Sequence, residues 1–299
     1  MHIPSPNVPV LTQADIDQRV FELYDEYCHG RMDRRSFLAA ASLIAGGLAM
    51  AQALMPRYAQ AQTISFTDER IKAHYVSYPS PGGNSGTMRG YLVQPAGTGR
   101  FPAVLVIHEN RGLNPYVEDV ARRFAVEGFV ALAPDGLSPV GGYPGNDDDG
   151  RELQAKLDQA KLRTDMLNSA QTLKAHALSN GKLCVTGFCW GGTTTNYLAT
   201  ALGADLLAGA PFYGAAPDTA AVAAIKATLL IHYAENDDRI NAMWPAYETA
   251  LKANHVSYEK YTYPGTQHGF HNNSTPRYQE AAAKLAWDRT VTLFKQRVG

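Results

Sequence analysis

The segment Leu183-Cys184-Val185-Thr186-Gly187-Phe188-Cys189-Trp190-Gly191-Gly192 constrains this chain more than any other. A β-rich run enters Gly187-x-Cys189-x-Gly191-Gly192, and a helix-compatible stretch leaves it. A nucleophile held on a strained, very tight strand-to-helix turn needs residues without bulk two before and two after it, which is the pattern of a nucleophile elbow with cysteine in the serine position. The sulfur then projects over the end of a sheet, and the helix N-terminus beneath it favours a thiolate. The amide of Trp190 points to where an oxyanion would form. Most free cysteines are simply small buried hydrophobes. Cys184, mid-strand and without turn glycines, reads as one of those.

Such an elbow needs a sheet to stand on. From Ile71 onward strand-like and helix-like segments alternate. Two opening strands, Lys72–Tyr78 and Met88–Gln94, are joined through a Pro/Gly/Ser-rich link that reads as a hairpin loop. Ala103–His108 follows as a continuous apolar run of the kind buried on both faces of a parallel sheet. Further strands are expected at Phe129–Ala133, Leu183–Thr186, Leu206–Phe212, Thr228–Tyr233 and Ser257–Tyr263. Helices are expected near Tyr116–Glu127, Trp190–Ala201, Ala242–Asn254 and Arg277–Arg297, and one long helix near Arg151–His176. Between Pro134 and that long helix lies a Gly/Pro/Asp-rich loop over residues 135–150. Regular alternation of this kind implies a doubly wound, mainly parallel α/β sheet with its sites at the carboxyl ends of strands. No internal repeat or domain-scale linker interrupts residues 62–299, which read as one domain.

A thiol nucleophile needs a base, and the base needs an orienting carboxylate. In this architecture the acid and then the histidine follow the nucleophile on loops after later strands. Asp237, in the loop after Thr228–Tyr233, and His268, in the loop after Ser257–Tyr263, stand in that order. Glu235 and Asp238 compete for the acid role and His271 for the base role.

Three separated motifs resemble the dienelactone hydrolase family of the α/β-hydrolase superfamily. They are His108-Glu109-Asn110-Arg111-Gly112-Leu113-Asn114, Gly187-Phe188-Cys189-Trp190-Gly191-Gly192, and His268 after Gly265, and the likeness covers about residues 71–298. The resemblance implies an α/β-hydrolase fold with Cys189 as nucleophile, His268 as base and Asp237 as its partner. It implies an oxyanion hole from the amides of Asn110 and Trp190, and a Glu109 carboxylate that helps to activate the resting thiol. The substrate class it implies is small carboxylic esters or lactones, hydrolysed through a thioester. In the founding enzymes of the family, arginines and a serine beside the catalytic histidine hold the substrate carboxylate. In this chain Gly269 follows His268, no arginine lies between Arg123 and Arg151, and Arg111 and Arg239 are the arginines near the site.

The first sixty residues read as an address. Arg34-Arg35-Ser36-Phe37-Leu38 precedes an uncharged stretch from Phe37 to Met55, and Ala59-Gln60-Ala61 follows as an A-x-A site. Residues 1–61 therefore read as a twin-arginine-type signal segment with a long n-region, which carries a helical pattern from Ala14 to Tyr27. The expectation is a partner in the twin-arginine export machinery and a periplasmic or secreted product cleaved near Ala61. The alternative is a membrane anchor through an uncleaved 37–55 segment. Cleavage would remove five basic and six acidic residues and leave the remainder with balanced charge.

Composition removes the other classes. With 27 Lys+Arg against 28 Asp+Glu, the chain lacks the basic excess of a nucleic-acid binder. Three cysteines rule out a four-cysteine zinc site, and His108-Glu109 lacks a second histidine four residues later. The Asp147-Asp148-Asp149 run lacks the alternating spacing of a calcium loop and reads as a solvated acidic turn. No G-x-G-x-x-G follows an early strand, so no cofactor is expected. The competing reading is a non-catalytic exported binding protein that keeps the hydrolase fold.

Overall fold

The structure is a computed structural model that describes residues 17–28, 32–45 and 61–299. Its catalytic-size unit is an eight-stranded sheet with strand order β1-β2-β4-β3-β5-β6-β7-β8. β1 (Ile71–Ser80) and β2 (Gly86–Pro95) form the expected hairpin, and β2 pairs antiparallel with β4 (Val130–Asp135). From β4 onward through β3 (Phe101–Ile107), β5 (Ser179–Phe188), β6 (Ala208–Phe212), β7 (Thr228–Asn236) and β8 (Tyr258–Gln267), every pairing is parallel. This is the doubly wound α/β-hydrolase architecture that the alternation implies.

The sheet is apolar on both faces because both are covered. Val104 and Val106 of β3 point into one layer with Val117, Val120 and Phe124 of the helix α3 (Pro115–Val126) and Phe294 of the last helix (Glu280–Val298). Ala103, Leu105 and Ile107 point into the other, against Leu162, Met166 and Leu173. The alternation of side chains along a strand thus splits one apolar run between two cores. From Ala103 to Ile107 both faces of β3 are fully buried, and burial of this kind contributes about 25 cal/mol per Å² of apolar surface.

Two expectations are corrected. The single helix near Arg151–His176 is two helices, α4 (Asp147–Ala155) and α5 (Gln159–Ala175). Asp158 separates them, accepting from the amides of Ala160 and Lys161 and so capping the start of α5. The acidic run 147–149 is the first turn of α4, where negative charge suits the helix dipole. Asp147 itself is buried, in an ion pair with Arg111 at 2.8 Å, and is not solvated.

Toward the N-terminus, α1 (Gln18–Cys28) and α2 (Arg34–Ala45) pack on each other through Val20, Tyr27, Phe37 and Ala41. The Arg34-Arg35 pair opens α2. Residues 46–60, which carry the rest of the apolar stretch and most of the Ala59-Gln60-Ala61 site, lie outside the described residues. Among those described, no helix is long and apolar enough to cross a membrane.

Candidate active site

The carboxyl ends of five parallel strands converge on one place. β5 ends at Phe188, and Cys189 follows with φ 56° and ψ −112°, a positive φ that is costly for any residue but glycine. The neighbouring glycines make that turn possible. A Cβ on Gly187 would come within 2.4 Å of the Gly191 carbonyl oxygen, and one on Gly191 within 2.4 Å of the Ile107 carbonyl oxygen. The same closeness presses the start of α6 (Trp190–Leu202) onto the end of β3. Cys189 stands at the N-terminus of this 13-residue helix, whose dipole favours an anionic sulfur.

Asp237 follows β7 and is buried. Its Oδ2 lies 2.6 Å from Nδ1 of His268, which follows β8 and is also buried. The other loop carboxylates go elsewhere. Glu235 is exposed and accepts from the Gly265 amide at 2.7 Å, and Asp238 is exposed at the start of the next helix. His271 is buried with Nδ1 2.7 Å from the Tyr116 hydroxyl, away from Asp237. Burial, with the charges of Arg123 and His232, holds His271 well below the usual histidine range, so it stays neutral. For His268 burial alone would also lower the value. The charge of Asp237 and the hydrogen-bonded thiol of Cys189 outweigh it, and the imidazole is raised to about 10. Cys189, His268 and Asp237 are therefore brought together, in surroundings that favour the protonated imidazole.

Around this trio the end of β3 is built with care for direction. His108 is buried, with Nδ1 2.5 Å from the Glu109 carbonyl oxygen and Nε2 accepting from the Gly136 amide at 3.0 Å. Those two bonds fit one neutral tautomer, protonated on Nδ1. Its ring stacks on Trp190 with centroids 5.3 Å apart, so the segments that carry the Asn110 and Trp190 amides are locked to each other. Glu109 is buried, and burial raises its carboxyl above the usual range. Arg111 and Arg277 pull it back down, and Cys189 pushes it up. The charge coupling puts Glu109 and the thiol within electrostatic reach.

Three contributors escaped the sequence reading. Asn272 donates to Oε2 of Glu109 at 3.0 Å, and its own Oδ1 is held by the amide and hydroxyl of Ser274. Tyr213, directly after β6, has φ 38° and sets its ring 4.9 Å from that of His268. The rule that sites gather at strand ends was the available signal for Tyr213. Arg277 is buried so closely over Gly269 that a Cβ there would come within 2.9 Å of its guanidinium carbon. Nothing in the local sequence marks it. Of the two arginines expected near the site, Arg111 is engaged with Asp147 and Arg239 is exposed on the helix after Asp237.

Among the described residues, no group of three or more His, Cys, Asp and Glu side chains could hold a metal ion. The site brings together a thiol at positive φ on a helix N-terminus, a buried histidine beside it and a buried carboxylate on that histidine.

The sequence model described as "Dienelactone hydrolase family" matches residues 88–298, and one described as "YqhI-like" matches residues 9–46. The chain is 63% identical over 112 residues to the Escherichia coli K12 protein named "Putative hydrolase fragment YghX", covering 37% of this chain and 95% of that protein. It is 33% identical over 231 residues to the Synechocystis protein named "Putative carboxymethylenebutenolidase", covering 69% of this chain and 90% of the relative. The crystal structure titled "Putative Dienelactone Hydrolase" from Klebsiella pneumoniae superposes with a TM-score of 0.66 at 28% identity, over 76% of this chain and 99% of that one. A hydrolase sheet with these motifs at its strand ends, matched over most of its length, belongs to the dienelactone hydrolase family.

Proposed function

We propose that this hydrolase cleaves small carboxylic esters or lactones through Cys189, Asp237 and His268, by way of a thioester on Cys189. The observation that carries the reading is the 2.6 Å contact of His268 with Asp237 beside a cysteine held at positive φ on a helix N-terminus. The Cys189 thiolate attacks the carbonyl carbon while the amides of Asn110 and Trp190 stabilise the oxyanion. The tetrahedral adduct collapses, the C–O bond breaks, and the His268 imidazolium gives its proton to the departing alkoxide. Neutral His268 then takes a proton from water as the water attacks the thioester, and the acid and free thiolate leave together. Asp237 fixes the ring and stabilises the imidazolium in both halves. Glu109 tunes the thiol electrostatically. The relative's name supplies the first lactone class to try, that of carboxymethylenebutenolides.

The test is turnover of a short-chain p-nitrophenyl ester and of a dienelactone, with iodoacetamide as inhibitor and peptide mass spectrometry to locate the label. Turnover lost in step with label on Cys189, and absent in Cys189→Ala, supports the reading. Turnover that survives in Cys189→Ala overturns it. No turnover on either substrate, with Cys189 readily labelled, favours a binding protein on the same fold.

We further propose that residues 1–61 direct twin-arginine-type export, supported by Arg34-Arg35 ahead of the apolar 37–55 stretch. Fractionation of cells expressing the chain, with N-terminal sequencing of the product, separates a periplasmic form starting near Gln62 from an anchored or unexported one.

A further inference from the structure

We propose that the mouth of the active site carries a docking surface for the chain's own N-terminal helical pair, so that the uncleaved protein holds itself in a capped form. The pair is a small packed unit in its own right. Tyr27 stacks on Phe37 with centroids 5.0 Å apart, and Val20 and Ala41 complete a buried core that owes nothing to the sheet. A separate family match to residues 9–46, covering α1 and α2 and stopping short of the sheet, marks the same unit.

The pair meets the catalytic unit at α4. Arg151, on α4, donates to the Tyr27 carbonyl oxygen and lies over the Tyr27 ring at 4.5 Å from its centroid. One side chain thus grips both the backbone and the ring of the last turn of α1. Such an arginine–aromatic contact contributes about 0.5–2 kcal/mol, depending on how far it is desolvated. A few residues further on, Met32 and Asp33 close one side of a cleft of about 430 Å³. The same cleft is lined by Asn110 and Trp190, the residues whose amides form the oxyanion hole in the proposed function. Gln154, beside Arg151 on the same helix, accepts from the Gly112 amide at 3.0 Å and ties α4 to the loop that carries Asn110.

Met32 and Asp33, at the entry to α2, thus form part of the lining of a cleft beside Asn110 and Trp190 for as long as the pair stays attached. A protein that folds before export would carry them in that position until cleavage near Ala61. In the capped form access to Cys189 is set by the fraction of time the pair is lifted. A cap closed about nine-tenths of the time lowers the apparent rate of any reagent about tenfold.

The experiment uses the full chain. Iodoacetamide labelling of Cys189 is timed by peptide mass spectrometry in the wild type, in Tyr27→Ala, which removes the ring under Arg151, and in Phe37→Asp, which breaks the core of the pair. Amide exchange of residues 147–155 is followed in parallel. The expected result is Cys189 labelling about tenfold faster in Phe37→Asp and several-fold faster in Tyr27→Ala, with faster exchange confined to α4 and the loop at 108–114. Equal labelling and exchange in all three proteins overturns the cap. The labelling readout requires only that the thiol be reachable. Faster labelling without turnover on any ester or lactone would therefore keep the cap and reject the proposed hydrolysis. Turnover with unchanged labelling would do the reverse.

Discussion

The side-chain amide of Asn272 donates to Oε2 of Glu109 at 3.0 Å, tying the loop after β8 that carries His268 to the segment that follows β3. Ser274 fixes the amide from behind, so the bond has one direction. It does not neutralise the carboxylate, and burial raises Glu109 above the usual range despite the nearby Arg111 and Arg277. A raised carboxyl contributes stability in its neutral form, fully present below its unfolded value and lost as pH rises through the folded one. Glu109→Gln keeps the shape and the Asn272 bond but removes that loss. The variant should melt above the wild type at pH 7, with the gap closing toward pH 4. Its ester turnover should fall. Melting curves at the two pH values check the sign, and an unchanged gap would mean that Glu109 is not held under strain.

The two thiols separate cleanly by environment. Cys184 is fully buried in β5, and burial pushes its thiol far up, so it stays a thiol at every working pH. Cys184→Ala should cost about 1 kcal/mol of stability from the lost packing and leave turnover near that of the wild type. Cys189→Ala should lose turnover by about a thousandfold or more while melting near the wild-type temperature. Steady-state rates on one ester, with melting curves for both variants, distinguish the nucleophile from the structural cysteine.

The tight turn at Cys189, the placement of Asp237 and His268 after successive strands, and the hairpin that opens the sheet were legible because each follows from local sequence pattern. Glycine spacing, turn residues and apolar runs act over a few positions. The split between α4 and α5 was legible too, in the capping Asp158, but the helical pattern on either side masked it. Asn272 and Arg277 were not legible, and Tyr213 only through its place at a strand end, since each acts through a contact with a distant segment. Asn272 meets Glu109 across 163 positions, and Arg277 fills the space over Gly269 only once the loop after β8 has folded back. Asp147 misled for the same reason: a run of three aspartates looks solvated until Arg111 is brought against one of them.

Glycine at 191 is required by close approach. Its φ is not in the left-handed region, yet a Cβ would meet the carbonyl oxygens of Ile107 and His108 at 2.4 and 2.6 Å. Backbone atoms cannot rotate aside, so Gly191→Ala must push α6 off the end of β3. The expected cost is about 1–3 kcal/mol of stability, and the shift separates the Trp190 and Asn110 amides. Turnover should fall by about a hundredfold, the loss typical of one oxyanion donor, with little change in KM. Gly97→Ala, at an open position with no positive φ, serves as the control for a glycine that meets nothing. Equal behaviour of the two variants would remove the close-packing argument.

The proton on His268 gives a pH signature that neither residue of the pair would give alone. The imidazole is raised to about 10, with burial opposing and the charges of Asp237 and Cys189 prevailing. Its stabilising contribution is fully present below the ordinary histidine value and is lost as pH rises through about 10. Below that point the imidazolium favours the Cys189 thiolate, so iodoacetamide should label Cys189 at pH 6, well under the ordinary thiol value of about 8.5. His268→Ala removes the cation. Its labelling profile should move up toward the ordinary thiol range, and turnover should drop by about a hundred- to ten-thousandfold. The stability gap between wild type and variant should shrink as pH rises from neutrality toward 10. Labelling rates from pH 5 to 10, read at Cys189 by mass spectrometry, decide it. A variant profile that overlays the wild type would show that the thiol is ionised by the helix N-terminus alone.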